Sequence, residues 1–232
     1  MGRKAPSKWK ARAALAVLLL ALVGGAWGWW KSRDWRPAGA EYPVQGVLLG
    51  EADGPVTAAM LQSAGAGFAY LEASTGAEGR DAQFAHTMEA LAGSGLPIGA
   101  VHAYDPCVPA DRQAANFVTI VPRDPKQLPP AIALDTLATT CGDPVIEAGV
   151  ESELMTFINQ VENHTGQPVV LRISPEFEAR YGIAARIERN LWLSRDFLEP
   201  EYAGRPWTLW TANTHLQAGV GEGPLRWVVL QP

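Results

Sequence analysis

The chain is poor in histidine and cysteine, with 4 His and 2 Cys among 232 residues. Protein zinc sites need several such ligands close together. No second His or Cys stands at metal-ligand spacing from His102. Internal repeats and low-complexity tracts are also lacking, which argues against a solenoid or a disordered chain. The sequence therefore predicts a globular protein with no metal and no cofactor.

Basic residues are scarce outside the N-terminus. Eight of the 19 Lys and Arg, but one of the 24 Asp and Glu, lie in residues 1–36. The rest of the chain holds 11 basic and 23 acidic residues, a net charge of −12. Such a surface repels nucleic acid and anionic lipid. The sequence predicts no nucleic-acid partner.

The long hydrophobic run lies near the N-terminus. Residues 1–12 contain five basic residues, and the uncharged segment Ala13–Trp30 follows. About 20 apolar residues span a hydrocarbon core, and the three tryptophans at the far end suit an interfacial belt. The positive-inside rule predicts a single-pass anchor in the inner (cytoplasmic) membrane, with 1–12 in the cytoplasm and the domain on the periplasmic side. The alternative is a signal peptide cleaved near Gly24–Ala26.

Strand and helix patterns alternate beyond a predicted linker at 31–42. Apolar runs bounded by Gly or Pro are typical of buried parallel strands, and segments with helical spacing separate the first five. The predicted strands are Val44–Leu49, Gly67–Ala73, Pro97–Tyr104, Ala131–Leu137, Pro168–Ile173, Leu191–Ser194, Thr208–Thr211 and Leu225–Leu230. About eight strands predict an α/β fold over 43–232, a TIM-barrel-like (β/α) barrel. It would be irregular because the last three strands lack long intervening helices.

Several of these segments resemble motifs of a known family. AGAGFAYLEASTG is similar to AGVDFVIIKATEG, GLPIGAVHAY to GLLVGAYHFF, and LPPAIALD to LPPVLDVE. The latter three are motifs of the family 25 glycoside hydrolases, lysozymes that cleave peptidoglycan. LRISPEF, LWLSR and WTLW resemble its later strands in order and spacing, so the resemblance covers roughly residues 44–230. It implies a flattened β/α barrel with a glycan groove and carboxylates at several strand ends.

The chain departs from the family at those carboxylates. Leu48 stands where the first strand of the family carries Asp, and Leu137 where the fourth-strand DxE motif supplies the general-acid Glu. Arg226 lies at or beside the acidic position of the last strand. Asp135, the first residue of the DxE motif, is kept. Because Leu cannot donate a proton, these changes predict weak or absent hydrolysis.

A different carboxylate pair is the candidate catalytic site. Glu72 is expected at the end of the second strand and Asp135 at the end of the fourth, and two strand spacings come to roughly 9–10 Å. Inverting glycosidases hold their carboxyl groups about 6.5–9.5 Å apart. In the alternative interpretation, Glu72 pairs with a base such as Arg172 or Arg226 in a structural network.

Other strand-end residues are candidates for ligand binding. His102, Arg172 and Arg226 offer polar groups, and Trp192 and Trp210 offer aromatic faces on which sugars stack. The competing interpretations are a hydrogen-bonded structural histidine and tryptophans that pack between strands.

The two cysteines follow sequential strands. Cys107 and Cys141 come just after the predicted third and fourth strands, which should be neighbours in a parallel barrel. An even pair in an oxidising compartment predicts a disulfide. Two unrelated buried thiols are the alternative.

Two functions remain open. One is a muramidase-like domain directed at peptidoglycan or another cell-envelope glycan, with rearranged carboxylates. The other is a catalytically silent barrel that binds glycan or a protein partner at the membrane surface. The family resemblance favours the first, and the substituted site residues favour the second.

Overall fold

A computed structural model describes residues 8–232, and it contains the predicted barrel. The helices are α1 (Lys8–Ser32), α2 (Ala58–Ser63), α3 (Phe84–Leu91), α4 (Ala110–Ile120), α5 (Glu147–Thr165), α6 (Pro175–Tyr181) and α7 (Ile183–Arg186). The strands are β1 (Gln45–Leu49), β2 (Ala69–Thr75), β3 (Gly79–Arg80), β4 (Ile98–Ala103), β5 (Ala131–Leu134), β6 (Val170–Ile173), β7 (Asn190–Ser194), β8 (Leu209–Leu216) and β9 (Leu225–Leu230).

Eight of the strands close into a barrel in the order β1-β2-β4-β5-β6-β7-β8-β9, and β9 pairs back to β1. The short β3 forms a hairpin with β2 outside this ring. All neighbours are parallel except β9, which is antiparallel to both β8 and β1. Only residues 217–224 connect β8 to β9. A parallel crossover needs a dozen or more residues, so this short connection dictates an antiparallel return.

The prediction of an irregular barrel is therefore confirmed, and most predicted element boundaries shift by a few residues. The clearest difference is β5, which ends at Leu134 rather than Leu137. The neighbouring β6 ends at Ile173, and Ser174 is the N-cap of α6, where its side chain accepts a hydrogen bond from the Phe177 amide. Because the sheet partner turns away there, the chain after Leu134 also leaves the sheet.

The barrel has separate inner and outer cores. The outer core lies between the strands and the helices. The inner core contains Leu48, Phe68, Tyr70, Val101, Ala131, Ala133, Val170, Trp192, Leu209 and Val228. Side chains alternate between the two faces of a strand, so residues two positions beyond inner-core residues also point inward. That rule places Glu72, Arg172 and Arg226 at the barrel mouth, and Asp135 directly follows β5 at the same end of the barrel.

Helix α1 includes Arg12–Ser32, a segment of mean hydropathy 1.8 that is long and apolar enough to cross a membrane and is not buried against the barrel. A signal sequence has the same length and composition. The segment after α1, predicted as a linker, is fastened to the barrel. Asn213 Nδ2 donates to the carbonyls of Ser32 (3.1 Å) and Trp35 (2.9 Å), and the Arg36 guanidinium lies 4.7 Å from the centroid of the Trp227 ring.

Candidate functional site

A cleft of about 460 Å³ lies at the C-terminal end of the parallel strands. It is lined by Glu51, Ala52, Glu72, Ser74, Thr75, Arg80, Asp81, Val101, Ala103, Ala133, Asp135 and Arg172. Its polar groups are mainly carboxylates and guanidinium groups. Glu72 and Asp135, the candidate catalytic pair, therefore line one and the same cleft.

Glu72 belongs to an ion network that closes one side of the cleft. Arg226 Nη1 donates to Glu72 Oε1, and Arg226 Nη2 lies 3.3 Å from Asp53 Oδ2. Desolvation works against the charge of the largely buried guanidinium, but hydrogen bonds and charge interactions with Glu72 and Asp53 outweigh it and raise the pKa of Arg226. The structure thus contains the Glu72–Arg226 pairing that the sequence offered as an alternative to catalysis.

The loop after β1 positions Asp53 in this network. A single 3₁₀ turn, Glu51–Asp53, follows β1 and turns Asp53 back so that Oδ2 accepts from the Gly50 amide at 2.7 Å. A Cβ at Gly50 would meet the Glu72 carboxylate, so a larger residue here would displace Glu72 from its place in the network. Burial raises the pKa of Asp53, while the Gly50 amide and Arg226 partly offset that shift.

Asp135 is held by a second arginine. Arg172 Nη2 donates to Asp135 Oδ2 at 2.5 Å, and the Asp135 side chain remains about half exposed. The Arg172 guanidinium also lies 5.9 Å from the centroid of the Trp192 ring, which forms the floor beneath it. An ion pair with a guanidinium is formed by the ionised carboxyl group, which accepts hydrogen bonds and stabilises positive charge.

Asp81 joins two loops at the cleft edge. Its Oδ2 accepts from the Glu51 amide at 2.6 Å, and its Oδ1 accepts from the Gln83 amide at 2.8 Å. The loop after β1 and the segment before α3 are therefore held together by one carboxylate. The exposed Glu51 side chain lines the cleft beside Asp81 and adds negative charge there.

The positions where the family carries acids hold apolar side chains that are used in packing. Leu48 is fully buried in the inner core, and its Cα is paired with that of Arg226 across β1 and β9. Leu137 follows β5 and packs against the outer core. Neither side chain can carry a proton or a negative charge, so the cleft lacks an ionisable group at both positions.

His102 lies away from the cleft. It is fully buried on the outer face of β4, where its Nδ1 is 2.8 Å from Ser74 Oγ and its Nε2 is 3.3 Å from Gln113 Oε1. Its ring packs against Phe157 at 4.6 Å between centroids. Burial lowers the pKa of His102 to about 4, despite the opposing hydrogen bond that Gln113 Oε1 accepts from the ring. A ligand in the cleft has no access to this imidazole.

The burial of His102 predicts a stability loss in mild acid. The folded protein keeps this histidine neutral down to about pH 4, whereas the unfolded chain takes up a proton near pH 6.5. The contribution is therefore present above about pH 6.5 and is lost as the pH falls to about 4, a change of about 3 kcal/mol in the free energy of unfolding. Urea unfolding of wild type and His102→Gln across that range measures it.

The matched control is His86→Gln, on the exposed face of α3. We expect the His102 variant to lose most of this pH dependence and the His86 variant to keep it. Equal pH dependence in wild type and His102→Gln would contradict the assignment.

The candidate sugar-stacking tryptophans are also buried. Trp192 lies in the inner core, and its Nε1 donates to Thr211 Oγ1 at 2.8 Å. Trp210 faces outward, donates to the Arg195 carbonyl, and packs against Trp207 and Tyr42. Neither ring presents a free face to the cleft, so stacking on a sugar would need other groups.

Cys107 and Cys141 form a disulfide with their Cα atoms 5.2 Å apart. It joins the loops after β4 and β5 at the end of the barrel that carries the cleft. Among residues 8–232, no group of three or more His, Cys, Asp and Glu side chains is arranged to hold a metal ion. The chemistry available in the cleft is that of carboxylates and arginines.

Comparison with known proteins places these observations in context. The profile of the family described as glycosyl hydrolases family 25 matches residues 50–220. No curated protein matches the chain. Among solved structures, a family 25 glycosyl hydrolase from Bacillus anthracis is 23% identical with a TM-score of 0.74, and 82% of this chain and 90% of that chain are covered.

Two further structures extend the similarity. A lysozyme from Streptomyces coelicolor is 20% identical with a TM-score of 0.70, covering 82% of this chain and 92% of that one. A family GH25 lysozyme from Aspergillus fumigatus is 17% identical with a TM-score of 0.67, covering 82% and 94%. At these identities the structural matches show a shared fold, and the residues of the cleft must be interpreted from their own geometry.

Proposed function

The chain belongs to glycosyl hydrolase family 25, and from that membership we propose a membrane-anchored periplasmic domain that binds peptidoglycan and hydrolyses it weakly or not at all. The observation that carries the proposal is that Glu72 and Asp135, the candidate catalytic pair, are both paired with arginines. Glu72 is bound by Arg226 and Asp135 by Arg172. The cleft keeps the polar groups for holding a glycan but has lost the arrangement for breaking it.

Hydrolysis of a glycosidic bond needs a protonated acid beside the leaving oxygen and a carboxylate at the anomeric centre. Asp135 and Glu72 are both engaged by guanidinium groups, an interaction of the ionised carboxylate. Leu137 stands where the family's acid is expected and supplies no proton. Loss of general acid catalysis lowers rates by about 10²–10⁴-fold. We therefore expect hydrolytic turnover to be at least about 10²-fold lower than that of an enzyme that keeps the acid.

Binding depends on a different set of properties. Sugar hydroxyls are hydrogen-bond donors and acceptors, and the cleft offers carboxylate oxygens to receive them and guanidinium N–H groups to donate. The N-acetyl groups and the peptide-linked lactyl groups of peptidoglycan add amide carbonyl acceptors, which suit Arg80 and Arg172 at the cleft wall. The cleft is also open and preformed. A glycan-binding role therefore survives the loss of the acid.

A protein partner at the cell envelope is the second candidate. The observation that favours it is the burial of Trp192 and Trp210, which removes the aromatic platforms expected in a glycan groove. Under this alternative, the carboxylates and arginines of the cleft would recognise complementary charges on a protein surface.

The test uses the detergent-solubilised full chain in two assays on the same purified cell walls. We expect co-sedimentation with the walls and muropeptide release at least about 100-fold below an active family 25 lysozyme. Asp135→Asn and Glu72→Gln should weaken co-sedimentation, whereas Glu188→Gln, an exposed carboxylate outside the cleft, should not. Robust hydrolysis abolished by Asp135→Asn would show a rebuilt catalytic site, and loss of both readouts would favour a protein partner.

The membrane anchor is tested by fractionation. We expect the full-length chain to stay in the membrane pellet after a carbonate wash, because α1 carries an uncharged run of spanning length preceded by basic residues. N-terminal sequencing of the pelleted protein checks that it is uncleaved. A soluble mature form that starts near Trp27 would contradict the anchor.

A further inference from the structure

The loop after β7 carries an exposed apolar tip. Phe197 and Leu198 are 39% and 57% exposed, although they lie beside a well-packed barrel. Phe197 has φ +68°, and within residues 8–232 it is the one non-glycine residue with a positive φ. A bulky residue in this conformation is strained, and strained residues are commonly found at functional positions. The fold therefore holds this aromatic side chain outward at a cost.

The end of α1 lies against the same loop. A groove of about 410 Å³ between them is lined by Trp29, Phe197 and Pro224, among others. The Phe197 ring also meets Trp35 in an edge contact with centroids 5.5 Å apart. The Gln217 amide donates to the Arg33 carbonyl at 2.8 Å, which ties the β8–β9 connection to the same segment. The exposed tip thus continues the surface of the proposed span at its periplasmic end.

The acidic residues around Phe197 and Leu198 are hydrogen-bonded within the protein, and the nearby arginine carries the positive charge that suits a membrane surface. Asp196 is bonded to the Thr214 amide and hydroxyl at 2.8 Å, and Glu199 accepts from the Tyr42 hydroxyl. Arg33 stacks over Trp29 at 4.8 Å. Tryptophan and arginine together are typical of the membrane–water interface. The acidic residues that flank Phe197 and Leu198 are therefore already satisfied within the protein.

We propose that Phe197 and Leu198 dock into the outer surface of the bilayer beside α1, and that this contact holds the cleft-bearing end of the barrel toward the membrane. The proposal rests on the proposed anchoring of α1. Its partner is a lipid surface, contacted through apolar side chains at interfacial depth. The net charge of −12 on residues 37–232 opposes contact with anionic lipid elsewhere, so the apolar tip confines docking to this edge.

The proposed docking determines which glycan the cleft can reach. The β7–β8 loop follows the C-terminal end of β7, and the cleft lies at the C-terminal ends of β2, β4, β5 and β6, so both are at one end of the barrel. Eight tilted strands about 4.8 Å apart make a ring about 15 Å across. The cleft therefore opens within about that distance of the docked loop. It would take glycan presented near the bilayer surface rather than glycan on the far side of the barrel.

The test places one fluorescent label at a time on the full chain in phosphatidylcholine nanodiscs, with and without lipids that carry a headgroup nitroxide quencher. Cys107 and Cys141 are joined, so an introduced cysteine takes the label. We expect a label at Leu198→Cys to lose most of its fluorescence in the quencher-containing discs. A label at Lys126→Cys, exposed in the loop before β5 at the opposite end of the barrel, should lose little.

A third position tests the orientation of the cleft. A label at Glu78→Cys, in the β2–β3 turn near the cleft, should be quenched more than the label at Lys126→Cys, and Phe197→Ser with Leu198→Ser should reduce that quenching. Equal quenching at positions 198 and 126 would overturn the docking, and no effect of the double variant at position 78 would overturn its role in orientation. Neither readout needs glycan or turnover, so failure in the cell-wall assays leaves this result independent.

Discussion

Replacing Arg226 with Met is expected to lower the free energy of unfolding by about 3 kcal/mol, because it leaves two carboxylates facing each other without a cation. Asp53 is almost fully buried, and Arg226 is the cation that pairs with both Asp53 and Glu72. Met keeps the length and the apolar stem of arginine, so the loss reports the missing charge more than a cavity. Urea unfolding at neutral pH measures it.

The matched control is Arg172→Met, which removes the other cleft guanidinium. Its partner Asp135 is about half exposed, so water can solvate the freed carboxylate and the loss should be about 1 kcal/mol or less. A second variant, Arg226→Met with Asp53→Asn, should recover part of the stability, because a neutral amide replaces the stranded buried charge. Equal losses for Arg226→Met and Arg172→Met would contradict the role given to burial.

The sign of the pH dependence provides a further check on Arg226→Met. Burial already raises the pKa of Asp53, and removing Arg226 removes one of the groups that oppose this rise. In the variant, folded Asp53 therefore holds a proton at higher pH than the unfolded chain does, so protonation stabilises the fold. The deficit relative to wild type should shrink as the pH falls from neutral, and a deficit that grows would argue against a stranded carboxylate.

The barrel and the position of its mouth could be predicted from the sequence because two patterns are clear in it. Apolar runs mark the buried strands, and segments with helical spacing separate the first five of them. Counting the apolar runs gives eight strands. Glu72, Arg172 and Arg226 were found as strand-end residues, and each lies two positions from an inner-core residue. Strand alternation therefore carries these three side chains to the cleft side of the barrel.

A position at the end of a strand specifies how far along the barrel axis a residue lies. It does not specify whether the side chain points into the barrel or toward the surrounding helices. The β2–β4 register shifts between Glu72 and Ser74, so Glu72 pairs with Val101 and Ser74 with His102. This irregularity brings the Ser74 hydroxyl, at the wall of the cleft, within 2.8 Å of the buried His102 ring, and a simple alternation along β2 does not reveal it. Trp210, the second residue of β8, has its side chain on the outer face of the barrel.

Asp53 was missed for a different reason. It lies outside any strand, in one 3₁₀ turn, and its place in the network depends on the turn bringing Oδ2 back to the Gly50 amide. Neither composition nor periodicity predicts that this turn brings the Asp53 side chain back to the end of β1. The nearest sequence signal is the pair of acids at Glu51 and Asp53 directly after a glycine-terminated strand, together with an unmatched arginine on the last strand.

Replacing both Cys107 and Cys141 with Ser is expected to lower the free energy of unfolding by about 4 kcal/mol. The disulfide closes a loop with a sequence separation of 34, and the chain-entropy relation gives about that value for a loop of this length. The bond also ties the loop after β4 to the segment after β5 that begins with Asp135. Without it, we expect faster hydrogen exchange in residues 135–146, at the edge of the cleft.

The single variants distinguish the bond from the individual side chains. Cys107→Ser and Cys141→Ser should each cost about as much as the double variant, because either one removes the same covalent link, whereas two independent packing losses would add. The oxidised state is checked by thiol labelling of denatured, unreduced protein. Two free thiols there would refute the bond. If the bond is present but its loss leaves residues 135–146 equally protected, the disulfide stabilises the barrel without shaping the cleft.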